Sequence, residues 1–557
     1  MKFSEKNLSQ TVVQLCLAKD IEHIVLSPGS RNAPLTIGFT SHPGFTNYSV
    51  VDERCAAFFA LGMAQQLGKP VAVVCTSGSA LLNYYPAIAE AFYSDIPLII
   101  LSADRPEHLL EIGDGQTIIQ ENVYRNHILY NGNCKEGEEF QIHNETVINT
   151  ALNSAIELSG PVHINIPFNE PLYNLVDIPT VRPQDVPARA INISAFDQTE
   201  MLQEFSSLWN TSTKKMILVG VLKPNSIEQK FIDFIANDES VLVLTETTSN
   251  LHNDQFITAI DQLIEPLNNK QQATLEPEVL LTFGGMIISK KIKVFLRNCK
   301  NMKHYHVDTK KAYDTFFKLE GHFKCTINTF FKQLVENSKP INSNYQSHWL
   351  SVKENRLLRH ESFVENIKYS DFSVYQYIFK YLNNECSVHI SNSAAIRYAQ
   401  LFDNKQLQTF CNRGTSGIDG SLSTAIGAAV HSTLPIIHIT GDLSFLYDSN
   451  GLWNNNIPSN FKIIVINNSG GGIFRILPKA KKMDHFETFF ETRHHLNASH
   501  LCAMYGLEYF KAQSMSEVES LFSKFLEHST KPALIEIFTP PEINDTVLMK
   551  YFKFIGE

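Results

Sequence analysis

Short runs of β-branched and aliphatic residues recur along the chain, separated by stretches with helical spacing of apolar positions. The runs His23–Ser27, Val71–Cys75, Leu98–Leu101, Val162–Ile166, Met216–Val219, Val241–Leu244, Val279–Thr282, Ser387–Ser391, Ile436–Thr440, Lys462–Ile466 and Ala533–Ile537 are the predicted strands. Most are apolar almost without interruption, which is the pattern of parallel strands covered on both faces. The expected class is α/β, with several doubly wound parallel sheets in series.

Two segments break this pattern. Val176–Arg189 carries Pro179, Pro183 and Pro187, which forbid a helix and favour an extended chain. Asn337–Gln346 is polar, contains Pro340 and lacks apolar periodicity. The cuts leave three segments of domain size, residues 1–180, 190–340 and 347–557. With 557 residues, 43% hydrophobic and 19% charged, the chain is long and apolar enough for several cores. Its formal charge of -10 argues against nucleic-acid partners, yet local arginines can still bind anionic substrates.

No apolar run approaches the roughly 20 residues of a membrane span. The start, MKFSEKNLSQTVVQL, mixes charge into its apolar positions unlike a signal peptide. Nine cysteines are dispersed without a C-x-x-C pair, as expected of reduced thiols. The expectation is a soluble, cytoplasmic protein.

Several apparent motifs lead nowhere. Gly62–Lys69 has one residue too many between its glycines for a phosphate loop, and Pro70 stands where Ser or Thr should bind magnesium; it reads as a helix end. Neither SPGSR nor GTSGID is a G-x-S-x-G nucleophile elbow. His494, His495 and His500 lie outside any H-E-x-x-H and read as surface or loop residues. No G-x-G-x-x-G follows a strand.

The stretch Ile436–Phe474 carries more. It reads as strand, Gly-Asp turn, helix, strand, then Asn467–Asn468 and a glycine run. Asp442 and Asn468 would sit at the C-terminal ends of two parallel strands, the edge where open α/β sheets bind ligands. A carboxylate, an amide oxygen and a turn carbonyl make a hard oxygen site suited to Mg²⁺ beside phosphate oxygens.

A Gly-Asp start followed about 25 residues later by Asn-Asn resembles the motif of thiamine diphosphate (ThDP) enzymes. Five further stretches, SPGSRNAPLT (27–36), TSGSALLNYYPAIAEA (76–91), SADRPEHLL (102–110), GPVHINIPFNEPLY (160–173) and NRGTSGIDGSLSTAIGAA (412–429), resemble the MenD family of menaquinone biosynthesis. The likeness covers almost the full chain and is weakest in the middle. It implies three serial domains: pyrimidine-binding (1–180), central (190–340) and diphosphate- and metal-binding (347–557). It also implies an active site shared between subunits of a homodimer or homotetramer.

The resemblance assigns residues. Asp442, Asn468 and the backbone oxygen of Gly470 would hold Mg²⁺ or Mn²⁺; Thr76, Ser77, Ile418, Gly441, Leu443 and Ile473 would line the cofactor. Glu53, in VVDERCAAFF, would hydrogen-bond the aminopyrimidine as the acid–base group; Ile418 would be the wedge that bends the cofactor. The family decarboxylates 2-oxoglutarate and adds the resulting carbanion to isochorismate. Such dicarboxylates suit guanidinium forks, and Ser30, Arg31, Gln116, Arg397 and Arg413 match catalytic positions. Arg105, Lys290, Ser393, Phe474 and Leu477 match substrate-binding ones.

Three departures stand out. Leu443 replaces the usual third glycine of the Gly-Asp-Gly motif, Gly115 precedes Gln116 where the family has Asn, and Lys290–Lys291 replaces Lys-Arg. Two other readings stay open. One is a different ThDP-dependent 2-oxoacid decarboxylase or carboligase. The other is a non-catalytic subunit of the same fold, for which loss of Glu53 or of the metal ligands would be expected.

Overall fold

The computed structural model describes residues 2–189, 197–403, 406–477, 479–527 and 530–557. The expected start of the central segment, residue 190, lies outside the described residues. Three parallel sheets follow one another along the chain. All eleven predicted strands are present, extended by a residue or more at several ends.

In spatial order the first sheet runs Thr46–Ser49, His23–Leu26, Val71–Cys75, Leu98–Asp104, Val162–Pro167, Tyr130–Asn133. The last runs Gln408–Phe410, Ser387–Ile390, Ile436–Gly441, Lys462–Asn467, Ala533–Phe538, Glu508–Ala512. Numbered within each sheet, both have the order 2-1-3-4-6-5. The central sheet, Val241–Thr245, Lys215–Val219, Val279–Phe283, Lys303–Val307, Leu319–Phe323, begins in the same way. Each sheet reverses direction between its first and third strands, and this crevice is where the fold receives ligands.

The strands that the sequence reading passed over are chiefly the outer ones: Thr46–Ser49, Tyr130–Asn133, Leu319–Phe323, Gln408–Phe410 and Glu508–Ala512. Their residues alternate or are partly exposed, so they lack the continuous apolar signal of central strands. Lys303–Val307 was hidden by His304 and His306, both turned onto the Thr282 hydroxyl at 2.7 Å.

The two expected linkers behave differently from free chain. Val176–Arg189 is extended but strapped to the first unit: Thr180 N–H donates to Gln10 Oε1 (2.8 Å), and Val186 N–H to Asn149 Oδ1 (2.9 Å). In Asn337–Gln346, the last two residues open the helix Tyr345–Val364. The buried Gln346 amide donates to the carbonyls of Ala236 and Val241, both at 3.0 Å, which pins that helix to the central unit.

The first and last units share one hydrophobic core. The helix Glu53–Leu67, rich in alanine, lies across the helix Ser421–His431. A methyl group on Gly62 would meet Thr424 O at 2.0 Å, and one on Gly427 would meet Phe59 O at 1.9 Å, so the two backbones touch. Beside this contact, buried Asp448 accepts from Ser423 N (2.8 Å) and Ser423 Oγ (2.9 Å), while Asn450 Nδ2 donates to Asp52 Oδ2 (2.8 Å). Among the described residues, no helix is long and apolar enough to cross a membrane.

The helix crossing gives a stability prediction. Gly62→Ala or Gly427→Ala overpacks it and costs about 1–3 kcal/mol or more, seen as a lower denaturant midpoint. Gly115→Ala, where an added methyl meets nothing within 4 Å, stays within about 0.5 kcal/mol of wild type.

Candidate active site

The last sheet places Asp442 and Asn468 at the ends of adjacent parallel strands. Gly441 is extended and caps the helix Asp442–Tyr447. The buried Asp442 carboxylate accepts Leu443 N–H at 2.7 Å and Gly470 N–H at 2.9 Å. Leu443 thus contributes its backbone N–H to the turn, which a leucine supplies as well as a glycine. Gly470 has φ +147°, and a methyl there would meet Glu491 O at 2.6 Å, so glycine is required.

Asn468 is buried, and its Nδ2 donates to Asp371 Oδ2 at 2.8 Å. Its Oδ1 is buried without any hydrogen-bond partner. An orphaned amide oxygen beside a carboxylate is a donor set that fits a hard divalent cation. Gly441 faces open space, with nothing within 4 Å of an added methyl, which leaves room for a diphosphate.

Two residues of this region escaped the sequence reading. Fully buried Asp371 also accepts from Thr539, and burial pushes its carboxyl up to about 6. It lies 97 positions before Asn468, with no local motif to mark it. His494, expected to be a surface or loop residue, places Nε2 3.3 Å from Asp442 Oδ2, and that contact raises its imidazole.

The neighbouring strand end supplies Ser393, Arg397 and Arg413. Ser393 is held at φ +70°, a costly conformation for a non-glycine residue, and its carbonyl accepts from Arg397 at 2.6 Å. Arg413 donates to Asn392 Oδ1 at 2.6 Å. Burial lowers Arg397, and the adjacent Arg413 charge adds to the effect. Ile418 is fixed through its carbonyl, which accepts from Ser444 at 3.1 Å. Ile473 and Phe474 lie on a short, partly buried turn; Leu477 is half exposed.

From the central unit, exposed Lys290 starts the helix Lys290–Asn298. Buried Glu246, raised to about 7 by burial, accepts Ile288 N–H and Ser289 N–H at 2.7 Å and fixes the loop before it. Half-buried Lys293 is lowered chiefly by its partial burial, opposed by Glu246 and assisted by the Arg413, Arg297 and Lys290 charges. Lys291 turns away, onto Glu265 and the Phe552 ring.

The first sheet carries the second cluster at its equivalent crevice. Arg31 is buried; it donates to Phe168 O (2.8 Å) and lies 3.2 Å from exposed Glu170. Thr76 Oγ1 accepts Arg31 N–H at 3.3 Å, and the Ser77 hydroxyl is buried without a partner. Ser30 is exposed. Burial and Arg105 both lower Arg31. Arg105 donates to Gly115 O (3.0 Å), next to exposed Gln116, whose backbone packs over Gly78.

Glu53 opens the helix Glu53–Leu67 behind the Asp52 cap, which accepts Cys55 N–H at 3.2 Å. It is half buried, and desolvation with the adjacent Asp52 charge raises its carboxyl. Glu90 joins the two clusters' scaffolds: from the first unit it accepts Gly414 N–H (2.7 Å), Thr415 N–H (2.6 Å) and Thr415 Oγ1 (2.8 Å). It sits inside the conspicuous stretch 76–91, where an acid on an otherwise apolar helix was the overlooked signal. Among the described residues, no hydrogen bond or ion pair joins Glu53, Arg31 or Arg105 to Asp442, Asn468, Arg397 or Arg413.

Three family models match along the chain. Residues 6–127 match the thiamine pyrophosphate enzyme N-terminal TPP binding domain, residues 191–390 the middle domain of thiamine pyrophosphate enzymes, and residues 392–537 the C-terminal TPP binding domain. The chain is 54% identical to the 2-succinyl-5-enolpyruvyl-6-hydroxy-3-cyclohexene-1-carboxylate synthase of Christiangramia forsetii, over 100% of both chains. It is 52% identical to that of Flavobacterium johnsoniae over 98% of each, and 35% identical to that of Porphyromonas gingivalis over 100% of this chain and 98% of the relative. With these identities over its whole length, the chain belongs to the thiamine diphosphate-dependent 2-succinyl-5-enolpyruvyl-6-hydroxy-3-cyclohexene-1-carboxylate synthase family.

Proposed function

We propose that this chain decarboxylates 2-oxoglutarate and joins the remaining four-carbon unit to isochorismate, with thiamine diphosphate and Mg²⁺ or Mn²⁺ bound between two copies of the chain. The observation that carries the reading is the pair of half-sites on equivalent sheet edges. One has an acid and two arginines; the other has an oxygen clamp and two arginines.

Thiamine diphosphate, when bound, supplies a ring carbon that takes up the 2-oxo carbon and holds the electron pair freed by CO₂ loss. The chain's own groups do the rest. Asp442 Oδ, Asn468 Oδ1 and the Gly470 carbonyl would hold the metal, with Asp371 fixing the Asn468 amide so that its oxygen faces the cation. Glu53, its carboxyl raised by burial, takes and returns the proton on which the cofactor's activation depends.

Arg31, Arg105, Arg397 and Arg413 bind substrate carboxylates, assisted by Ser30, Gln116, Ser393 and Lys290. Ile418, Ile473, Phe474 and Leu477 wall the reacting carbons from water. The domain division is 1–180, 190–340 and 347–557. Half-exposed Tyr447 and Trp453 lie on the stretch bound by Asp52 and Arg54, a surface that a second copy would cover in a homodimer or homotetramer. Nine free, buried cysteines suit the reducing cytoplasm.

The assay that tests the reading supplies isochorismate with 2-oxoglutarate, with and without thiamine diphosphate. CO₂ release and adduct formation are expected only with the cofactor, and pyruvate in place of 2-oxoglutarate gives little of either. Equal turnover of pyruvate would instead favour a general 2-oxoacid decarboxylase. Glu53→Gln is expected to keep the fold and cut kcat about 10²–10⁴-fold; circular dichroism and steady-state rates check both. In Asp442→Ala, cofactor titrations should need more Mg²⁺, by at least the roughly 10–100-fold typical of losing an outer-shell partner. An unchanged titration would remove the metal assignment.

A further inference from the structure

A second cleft lies between the central and last units. It has a volume of about 850 Å³ and is walled by Phe256, Leu263, Phe379 and Leu401. The helix Tyr345–Val364 crosses it and presents Lys353, Arg356 and His360 to the interior.

Arg356 is 8% exposed. Its Nε is buried without a partner, and among the described residues no ion pair or hydrogen bond holds its guanidinium. Every other buried or half-buried arginine described above has at least a carbonyl or amide to donate to, as Arg31 and Arg397 do. Burial and the neighbouring Arg359 both press against the charge, and no carboxylate offsets them.

The other charged groups on the cleft are Asp254, Lys353, His360, Glu361, Lys380 and Asp403, and the Asp254 and Asp403 charges act on Lys353. Lys353 Nζ donates to the carbonyls of Asp254 (2.8 Å) and Phe256 (2.9 Å). His360 is tied to Tyr551 (2.8 Å) and Gln376 (3.2 Å). The negative charge of Asp403 acts on His252. Glu361 also lines the cleft, on the same helix five positions after Arg356, and among the described residues no ion pair joins the two.

A guanidinium whose Nε is buried and unpaired is unfavourable unless something completes it. Its fork matches a carboxylate or phosphate bidentately, and the volume lies in the range of small-molecule sites. We propose that this cleft is an anion-binding site, separate from the active site, in which Arg356 grips the oxyanion of a small ligand and the aromatic and leucine wall covers its apolar body. Because its walls come from two units, a ligand there would lock the central unit against the last one.

Thermal unfolding of the protein loaded with thiamine diphosphate and Mg²⁺ tests this. Inorganic phosphate and benzoate are each titrated against chloride at the same ionic strength. Wild type is expected to show a saturable rise in midpoint with one or both anions. A larger rise with benzoate identifies an organic carboxylate; a larger rise with phosphate identifies a phosphate group. Arg356→Gln and Arg356→Met should lose the rise, whereas Arg413→Gln, in the active site, should keep it. No rise in wild type, an equal rise in the Arg356 variants, or its loss in Arg413→Gln would overturn the proposal. If Arg356→Met does not fold, Arg356→Lys serves in its place and should shift the titration at least tenfold to higher anion concentration.

Discussion

The contact on which the architecture depends is the crossing of two small-residue helices, Glu53–Leu67 and Ser421–His431. Their backbones meet at Gly62 and Gly427, where any side chain would collide with a carbonyl. One core therefore spans the first and last sheets, although some 350 residues separate them in sequence. The same crossing fixes the start of the first helix, and with it the direction in which Glu53 is offered. Asp448 and Asn450 hold that end in place through Ser423 and Asp52.

Around this frame the charge is arranged against the average. The chain carries a net -10, yet its two crevices each hold a pair of arginines, one of which feels the charge of the other. Arg31 is lowered by Arg105, and Arg397 by Arg413. What holds them is largely neutral: Phe168 O, Gly115 O, Ser393 O and Asn392 Oδ1. Carbonyl and amide partners satisfy N–H groups without cancelling charge, so the forks keep their attraction for carboxylates. The acids that form ion pairs with them, Glu170 and Asp114, are exposed at the rim and at 3.2 and 3.8 Å, while partly buried Asp261 acts on Arg397 from farther off.

The sequence made the central strands plain because burial on both faces forces continuous apolar runs, as in Val71–Cys75 and Lys462–Asn467. Outer strands such as Tyr130–Asn133 face solvent on one side and carry no such run. Asp442, Asn468 and Glu53 were legible because backbone turns at strand ends tolerate few sequences. Glu90, Asp371 and Glu246 were not, since each acts on a loop from a distant element and their roles exist only after folding. His494 is a loop residue, as expected, but the chain's return past Ser469, whose carbonyl accepts His494 N–H at 3.1 Å, brings it to the Asp442 carboxylate, a contact no local motif marks.

The two half-sites proposed for catalysis stand on separate crevices of one chain, and in the proposed reading a second copy of the chain brings them together. Co-expression of Glu53→Gln and Asp442→Ala chains under different tags, followed by isolation of the mixed oligomer, tests this most directly. At a Mg²⁺ concentration that just saturates wild type each variant alone is strongly impaired, but the mixed dimer has one site with both Glu53 and Asp442 intact, so synthesis well above either parent is expected from that site. A pure mixed oligomer as inactive as its parents would show that each chain builds its site alone.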